Sequence, residues 1–337
     1  MKRILYIGNA LKSTNANQTY LTTLTNNLVN EGYCVIKSSE KSNKLLRLLD
    51  MCLTLISNRK KVDLVLIDTY STLNFYYALI ISELCRIFKL KYIPILHGGN
   101  LQSRLKSSST WSRRIFEGAY INIAPSKFLK EVFKNHQFLN VITIPNSLVI
   151  SQYEFRNVNQ PKTIKIFWLR AFSKIYNPLL AIKVLDALRK RGFDAELCMV
   201  GPDKDGTMQS VKQLAKDLKL SVMITGKLSK LEWVDLSKEY NMFINTTNYD
   251  NMPVSVIEMM ALGIPVVSTN VGGMPFLIEN EVDGLLVEPD NVDHMVEAII
   301  RLYENPQEAK RLAKNARKKV EQYDWSVVKH QWKELLG

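Results

Sequence analysis

Two carboxylates, Asp250 and Glu258, stand in the stretch Asn248-Tyr-Asp-Asn-Met-Pro-Val-Ser-Val-Ile-Glu258-Met-Met-Ala-Leu-Gly263-Ile-Pro265, and between Val254 and Leu262 the only charge is Glu258. Pro253 suits the first turn of a helix and Gly263 the residue just past its end, so the spacing predicts a short, almost wholly apolar and therefore buried helix over 253–262. A bare carboxylate there is costly unless its oxygens accept hydrogen bonds, and a ligand rich in hydroxyls would supply them. The free amides at the helix N-terminus favour an anion. Sugar plus phosphate is the chemistry these residues suggest; the alternative is a Glu that merely reaches solvent from the helix edge.

The chain continues through Ile264-Pro-Val-Val-Ser268, Asn270 and Gly272-Gly273, which reads as a buried strand followed by a glycine loop. With seven residues between Asp250 and Glu258, Pro253 near the helix start and Ala261-Leu-Gly263 at its end, this resembles the signature of the retaining glycosyltransferases of family 4. Asp250 stands where that family usually has Glu, one methylene longer. The resemblance spans nearly the whole chain and implies the GT-B fold: an α/β protein of two facing doubly wound, Rossmann-like domains with a cleft between them.

Other residues extend it. Arg170 follows an apolar run over 164–169, where its planar fork suits a diphosphate. The family's loop adds a Lys, and here Lys174 falls one position early. His97 opens the glycine loop His97-Gly98-Gly99 after another strand-like run. In the family a His at this place touches the transferred sugar and helps hold the acceptor. The resemblance implies Glu258 on the ribose hydroxyls, and Asp250 with the backbone of Asn251, Met252, Pro253 and Val254 on the hexose. Arg170 and Lys174 would hold the leaving diphosphate, with Gly201 and Leu228 in neighbouring donor loops, the latter near the base. Gly8, His97 and Gly98 would form the acceptor side; the stretch 12–18 is rich in Ser, Thr and Asn instead of carrying the family's glycine pair. Phe276 replaces a common Glu.

Positioning these residues calls for alternating strands and helices, twice over. In the first half 4–7, 62–67, 92–96, 121–124 and 141–144 read as buried strands, with helices over 19–30 and 73–88. In the second, 164–169, 196–200, 222–224, 242–245, 266–268 and 285–287 read as strands, with helices over 178–191, 291–304 and 306–322. A chain of 337 residues exceeds what one core usually serves. The expected domains are 1–155 for the acceptor and 156–322 for the nucleotide sugar, joined by a polar linker at 151–162. Residues 323–337 are expected to form a helix packing back on the first domain.

Charge and cysteines bound the partners. Forty-five Lys plus Arg against 32 Asp plus Glu give a formal +13, which favours anionic partners. Residues 41–61 interleave Lys41, Lys44, Arg47, Arg59, Lys60 and Lys61 with leucines, as an amphipathic basic helix or helix pair would. A solvated helix face is one reading and an anionic membrane surface the other. No nucleic-acid-binding motif accompanies the basic residues. Cys34, Cys52, Cys85 and Cys198 are widely spaced in apolar contexts, as reduced buried thiols are. No apolar run reaches spanning length and the N-terminal run is too short for a signal peptide. A cytoplasmic protein is expected, peripheral on the inner face of the membrane if the basic helix binds lipid.

Asp203-Lys-Asp205 has the two-residue spacing of cation-binding acids in the other large glycosyltransferase fold, but sits after Gly201-Pro202 as a loop tip would, so neither a metal nor any other cofactor is expected. The reading is a retaining glycosyltransferase moving a sugar from a UDP- or GDP-linked donor to a glycan or lipid-linked acceptor, in surface polysaccharide or glycolipid assembly. Its rivals are a non-hydrolysing nucleotide-sugar epimerase, which calls for more acid/base groups near the sugar, and a non-catalytic module that binds anionic lipid or a partner.

Overall fold

The computed structural model describes residues 2–10, 19–98, 100–156 and 162–337. The polar stretch 12–18, Gly99 and residues 157–161 of the expected linker lie outside them. The chain divides into two compact units, Met1–Asn146 with Trp325–Gly337, and Ser147–Asp324.

In the first unit the order is β1 (Arg3–Ile7), α1 (Tyr20–Asn30), β2 (Cys34–Ser38), α2 (Lys44–Asn58), β3 (Leu64–Thr69), α3 (Asn74–Ile87) and β4 (Tyr92–Leu96), then α4 (Leu101–Ser107), α5 (Ser109–Phe116), β5 (Asn122–Ala124), α6 (Lys127–Asn135) and β6 (Val141–Thr143). All its strands are parallel, in the order β2-β1-β3-β4-β5-β6. Period-two alternation splits each strand between two cores. Leu5, Ile7, Val65 and Ile67 meet α2, α3, α5 and α6 on one face. Ile4, Tyr6, Leu64 and Leu66 meet α1 on the other. The edge strand β2 was not legible in the sequence, because it is only half-buried and carries Lys37.

The second unit runs β7 (Ile164–Leu169), α7 (Pro178–Lys190), β8 (Ala195–Val200), α8 (Thr207–Asp217), β9 (Met223–Gly226), α9 (Lys230–Leu236) and β10 (Met242–Asn245). It continues α10 (Val254–Leu262), β11 (Val266–Thr269), α11 (Met274–Leu277), β12 (Leu285–Val287), α12 (Val292–Glu304) and α13 (Pro306–Val320). Its parallel order, β12-β11-β10-β7-β8-β9, reverses direction between β7 and β10. In such sheets the carboxyl ends of the two strands at the reversal open a ligand crevice.

The unit boundary falls earlier than 155/156. Leu148, Ile150 and Tyr153 already pack in the second unit's core with α10, and the Ile150 amide donates to Asp324 at 2.7 Å, so the segment 148–153 is docked on the second unit. The chain then returns. Helix α14 (Trp325–Leu336) buries Val328, Trp332 and Leu336 against Leu21, Leu24 and Leu28 of α1.

Candidate functional site

Helix α10 starts one residue later than its sequence suggests. Pro253 has an extended backbone, φ −68° and ψ 119°, and caps the helix from outside, its carbonyl accepting from the Val256 and Ile257 amides. Gly263 closes the helix at φ 75°, a conformation in which a side chain would also strike Phe155 and the Arg156 carbonyl. Every α10 residue from Ser255 to Leu262 is buried except Glu258, which keeps part of its surface open. Glu258 Oε1 accepts from the Tyr153 hydroxyl at 2.7 Å. Burial pushes its carboxyl up to about 7, against the Tyr153 hydrogen bond and the Lys230 charge, which pull it down. Lys230 lies 4.4 Å from the centre of the Tyr153 ring, and burial in turn lowers its own pKa.

Arg170 leaves the end of β7 and meets Asp250 from the loop after β10. The Arg170 Nη2 donates to Asp250 Oδ2, the guanidinium lies 3.9 Å from the centre of the Tyr176 ring, and its Nε is buried without an acceptor among the described residues. Side chains lock the loops that carry this pair. Trp168 Nε1 donates to Thr246 Oγ1 at 2.9 Å and that hydroxyl donates to the Tyr176 carbonyl at 2.8 Å. Asp250 Oδ1 also accepts the Asn251 amide at 2.8 Å, while Met252 is buried beside it.

Glycines permit the close approaches. A side chain at Gly273 would overlap the Asn251 carbonyl, one at Gly272 the Asp250 carbonyl, and one at Gly201 the Arg170 carbonyl. Gly201 donates to the Gly226 carbonyl at 2.8 Å, which joins the ends of β8 and β9, and Leu228 follows, half-buried against the core that holds α10. Lys174 is exposed; its amide, 3.0 Å from Asp205 Oδ2, anchors the loop. Asp205 also accepts from Ser173, at 2.8 Å, and from Thr207, and the Thr207 hydroxyl is the first cause of its depressed pKa. Asp203 accepts the Gly206 amide at 3.0 Å, so both acids hold the loop together. No group of three or more His, Cys, Asp or Glu is gathered for a metal among the described residues.

In the first unit the strand ends assemble a second cluster. Asp68, at the end of β3, accepts from the Tyr6 hydroxyl at 2.8 Å and lies 2.7 Å from His97 Nε2. The His97 ring stacks on Tyr70 at 4.7 Å and meets the edge of Tyr20 at 5.1 Å. Burial, then the Asp68 charge, raises the pKa of Tyr6, Tyr20 and Tyr70, so all three keep their protons. A side chain at Gly8 would overlap Asp68, and Gly98 turns the chain away from His97 at φ 82°. Sequence reasoning missed Asp68, Tyr153, Tyr176 and Lys230. Asp68 had a signal, being the only charge in 64–69; Tyr153 lay in what read as a linker.

Residues 150–319, half of the chain and nearly all of the second unit, match the family model described as glycosyl transferases group 1. The chain belongs to that family. Among its relatives, an uncharacterized glycosyltransferase of Haemophilus influenzae is 26% identical over 210 residues, 61% of this chain and 57% of the relative. A UDP-Gal:alpha-D-GlcNAc-diphosphoundecaprenol alpha-1,3-galactosyltransferase of Escherichia coli is 26% identical over 127 residues, 35% of this chain and 33% of the relative. The matches thus span less than two thirds of either relative. Among solved structures, HepE of Anabaena in complex with UDP and glucose superposes with a TM-score of 0.78 at 18% identity, covering 100% of this chain and 99% of that one. Sucrose-phosphate synthase of Thermosynechococcus elongatus gives 0.83 at 17% identity, covering 99% and 98%. These likenesses show the fold, the two-unit α/β architecture of the GT-B glycosyltransferases.

Proposed function

We propose that this group 1 glycosyltransferase moves a sugar from a UDP- or GDP-linked donor to a hydroxyl of a glycan or lipid-linked acceptor, with retention at the anomeric carbon. The observation that carries the reading is that the two strands at the reversal, β7 and β10, lead into the segments bearing Arg170, which has an unspent buried donor, and Glu258, a carboxylate on an otherwise buried helix that keeps part of its surface open. Glu258 accepts from the ribose hydroxyls in place of Tyr153. Arg170 turns its fork to the diphosphate, assisted by the first amides of α10 and by Lys174, while Asp250 and the backbone of 251–254 hold the hexose. In the first unit, Gly8, His97 and Gly98 address the acceptor, and Asp68 fixes the orientation of the His97 ring.

The bond between the anomeric carbon and the leaving phosphate oxygen breaks while the acceptor oxygen attaches from the same side. The departing phosphate takes the acceptor's proton, so retention requires no protein nucleophile. Charge growing on the diphosphate is the main electrostatic demand, and Arg170 with the helix amides meets it without a divalent cation. The UDP in the HepE complexes supports a UDP donor, and the diphosphoundecaprenol-linked substrate of the Escherichia coli relative supports a lipid-linked acceptor. Four free cysteines fit a cytoplasmic setting, on the inner face of the membrane where lipid is the acceptor.

The test is incubation with a panel of UDP- and GDP-sugars and a polyprenyl-diphosphate-linked sugar, reading released nucleotide and the anomer of the product. Release with a retained anomer is expected; an inverted anomer, or no release with any donor, overturns the reading. Activity should also persist in EDTA, and complete loss rescued by manganese would return Asp203 and Asp205 to the reaction.

A further inference from the structure

Helix α2 leaves a stripe of leucines on its outer face while it buries an arginine. Its buried positions are Arg47, Met51 and Leu55, whereas Leu45, Leu49 and Leu53, offset by two residues and hence about 200° around the helix, are 75%, 58% and 61% exposed. Arg47 is held by the Lys41 and Ser42 carbonyls at 2.7 and 2.9 Å and by Asn9 at 3.0 Å, so a satisfied arginine faces inward with Met51 and Leu55 while Leu45, Leu49 and Leu53 face out. The neighbouring helix also leaves apolar side chains outside. α3 packs beside α2 on the same face of the sheet and exposes Tyr76 and Ile80, with Leu73 exposed just before its start, and α5, which packs on α3, exposes Trp111. Scattered exposed apolar residues need no explanation; stripes on adjoining helices mark a surface that something covers.

The charges around the stripes identify the covering. Lys41 and Lys44 flank the start of α2, and Arg59, Lys60 and Lys61 its end; within 41–61 the only acid is Asp50, which accepts from Ser38 at 3.4 Å. A second copy of the chain would bring this basic rim against itself, and like charges facing each other across an interface are repulsive. An anionic bilayer matches both parts, with leucines and Trp111 entering the acyl boundary and lysines meeting the headgroups.

We propose that the outer faces of α2, α3 and α5 form a docking surface for anionic phospholipid bilayers. Such docking would bring the enzyme to lipid-linked acceptors, but its test is independent of catalysis. The full chain is floated with vesicles of phosphatidylglycerol in phosphatidylcholine, and with pure phosphatidylcholine. Binding is expected to the anionic vesicles alone and to fade as salt rises. Each of Lys41, Lys44, Lys60 and Lys61 changed to Gln should lower it about five-fold. Leu45, Leu49 and Leu53 changed together to Gln should lower it at least about ten-fold, with an unchanged melting temperature because these side chains already face water. Equal recovery from both vesicles, no recovery from either, or unaltered binding of the leucine variant overturns the proposal. So does a concentration-dependent dimer that the leucine variant abolishes.

Discussion

Glu258 answers to opposite demands from folding and from binding. Its folded pKa of about 7 exceeds that of an ordinary carboxylate, so the folded chain holds this proton more tightly than the unfolded one. The stability it contributes is therefore complete below about pH 4.3 and is lost as pH rises through about 7. Glu258→Gln removes that dependence: between about pH 5 and 8 the wild type should lose unfolding free energy relative to the variant, by on the order of 2 kcal/mol, as denaturant titration would read it. On the proposed ribose role, donor affinity should run the other way, because only an ionised carboxylate can accept from both hydroxyls. For a nucleotide sugar, whose diphosphate diester does not titrate in this range, wild-type affinity should rise through about pH 7 and the Gln variant's should stay flat, with turnover reduced roughly 10- to 1,000-fold. Parallel profiles for the two proteins would remove Glu258 from the ribose. In the other unit, Asp68→Asn keeps the shape of the His97 cluster and removes its charge. Turnover should fall about ten-fold or more with nucleotide affinity unchanged, and calorimetric titration with UDP or GDP separates the two effects. Glu258 was conspicuous in the sequence as the lone charge of an apolar run, whereas its partner Tyr153 was not, since a contact across 105 residues leaves no local trace.

At the scale of elements, legibility followed burial. α10 could be delimited because its residues are nearly all apolar and Gly263 ends it; the misplaced start at Pro253 reflects that proline serves equally well just outside a helix as in its first turn. β2 escaped because an edge strand needs apolar residues on one side only. α2 was foreseen as basic and amphipathic, but periodicity does not say which of its apolar residues the core takes, and here the core took Met51 and Leu55, with Arg47, and left Leu45, Leu49 and Leu53 outside. The glycine loop after β11 shows what pattern alone could not: Gly273 is required because Asn251 passes against it. Gly273→Ala should push the loop bearing Asp250 off its position, costing about 1–3 kcal/mol, and on the proposed role of Asp250 it should weaken nucleotide-sugar binding more than binding of free UDP or GDP. Thermal melting and paired titrations check this, and an equal loss for sugar-bearing and sugar-free nucleotide would move Asp250 away from the sugar.

At the scale of the molecule, the path of the chain makes the two units unequal. The second unit, Ser147–Asp324, is continuous in sequence and owns both of its cores, including the segment from Leu148 to Tyr153 that composition had assigned to its neighbour. The first unit is interrupted: without α14 it would expose Leu21, Leu24 and Leu28 where Trp332 and Leu336 now sit, and leave Glu31 without Lys329 and Lys333 at 3.2 and 2.5 Å. Burial of a tryptophan side chain of this kind typically contributes about 3–5 kcal/mol, a large share of a domain's total of about 5–15 kcal/mol. The fragment 147–324 should therefore fold alone and keep the nucleotide site, while 1–146 should stay soluble only when a peptide of residues 325–337 is supplied. In a panel of UDP and GDP, the nucleotide that belongs to the donor should raise the melting temperature of fragment 147–324 by about 5–10 °C at about a hundred times its dissociation constant, as the 2.7 kcal/mol of mass-action stabilisation requires for a domain of this size. A cooperative melt that neither nucleotide shifts would mean that residues of the first unit are needed to bind the donor, and would overturn the assignment of Glu258 and Arg170 as a self-sufficient nucleotide site.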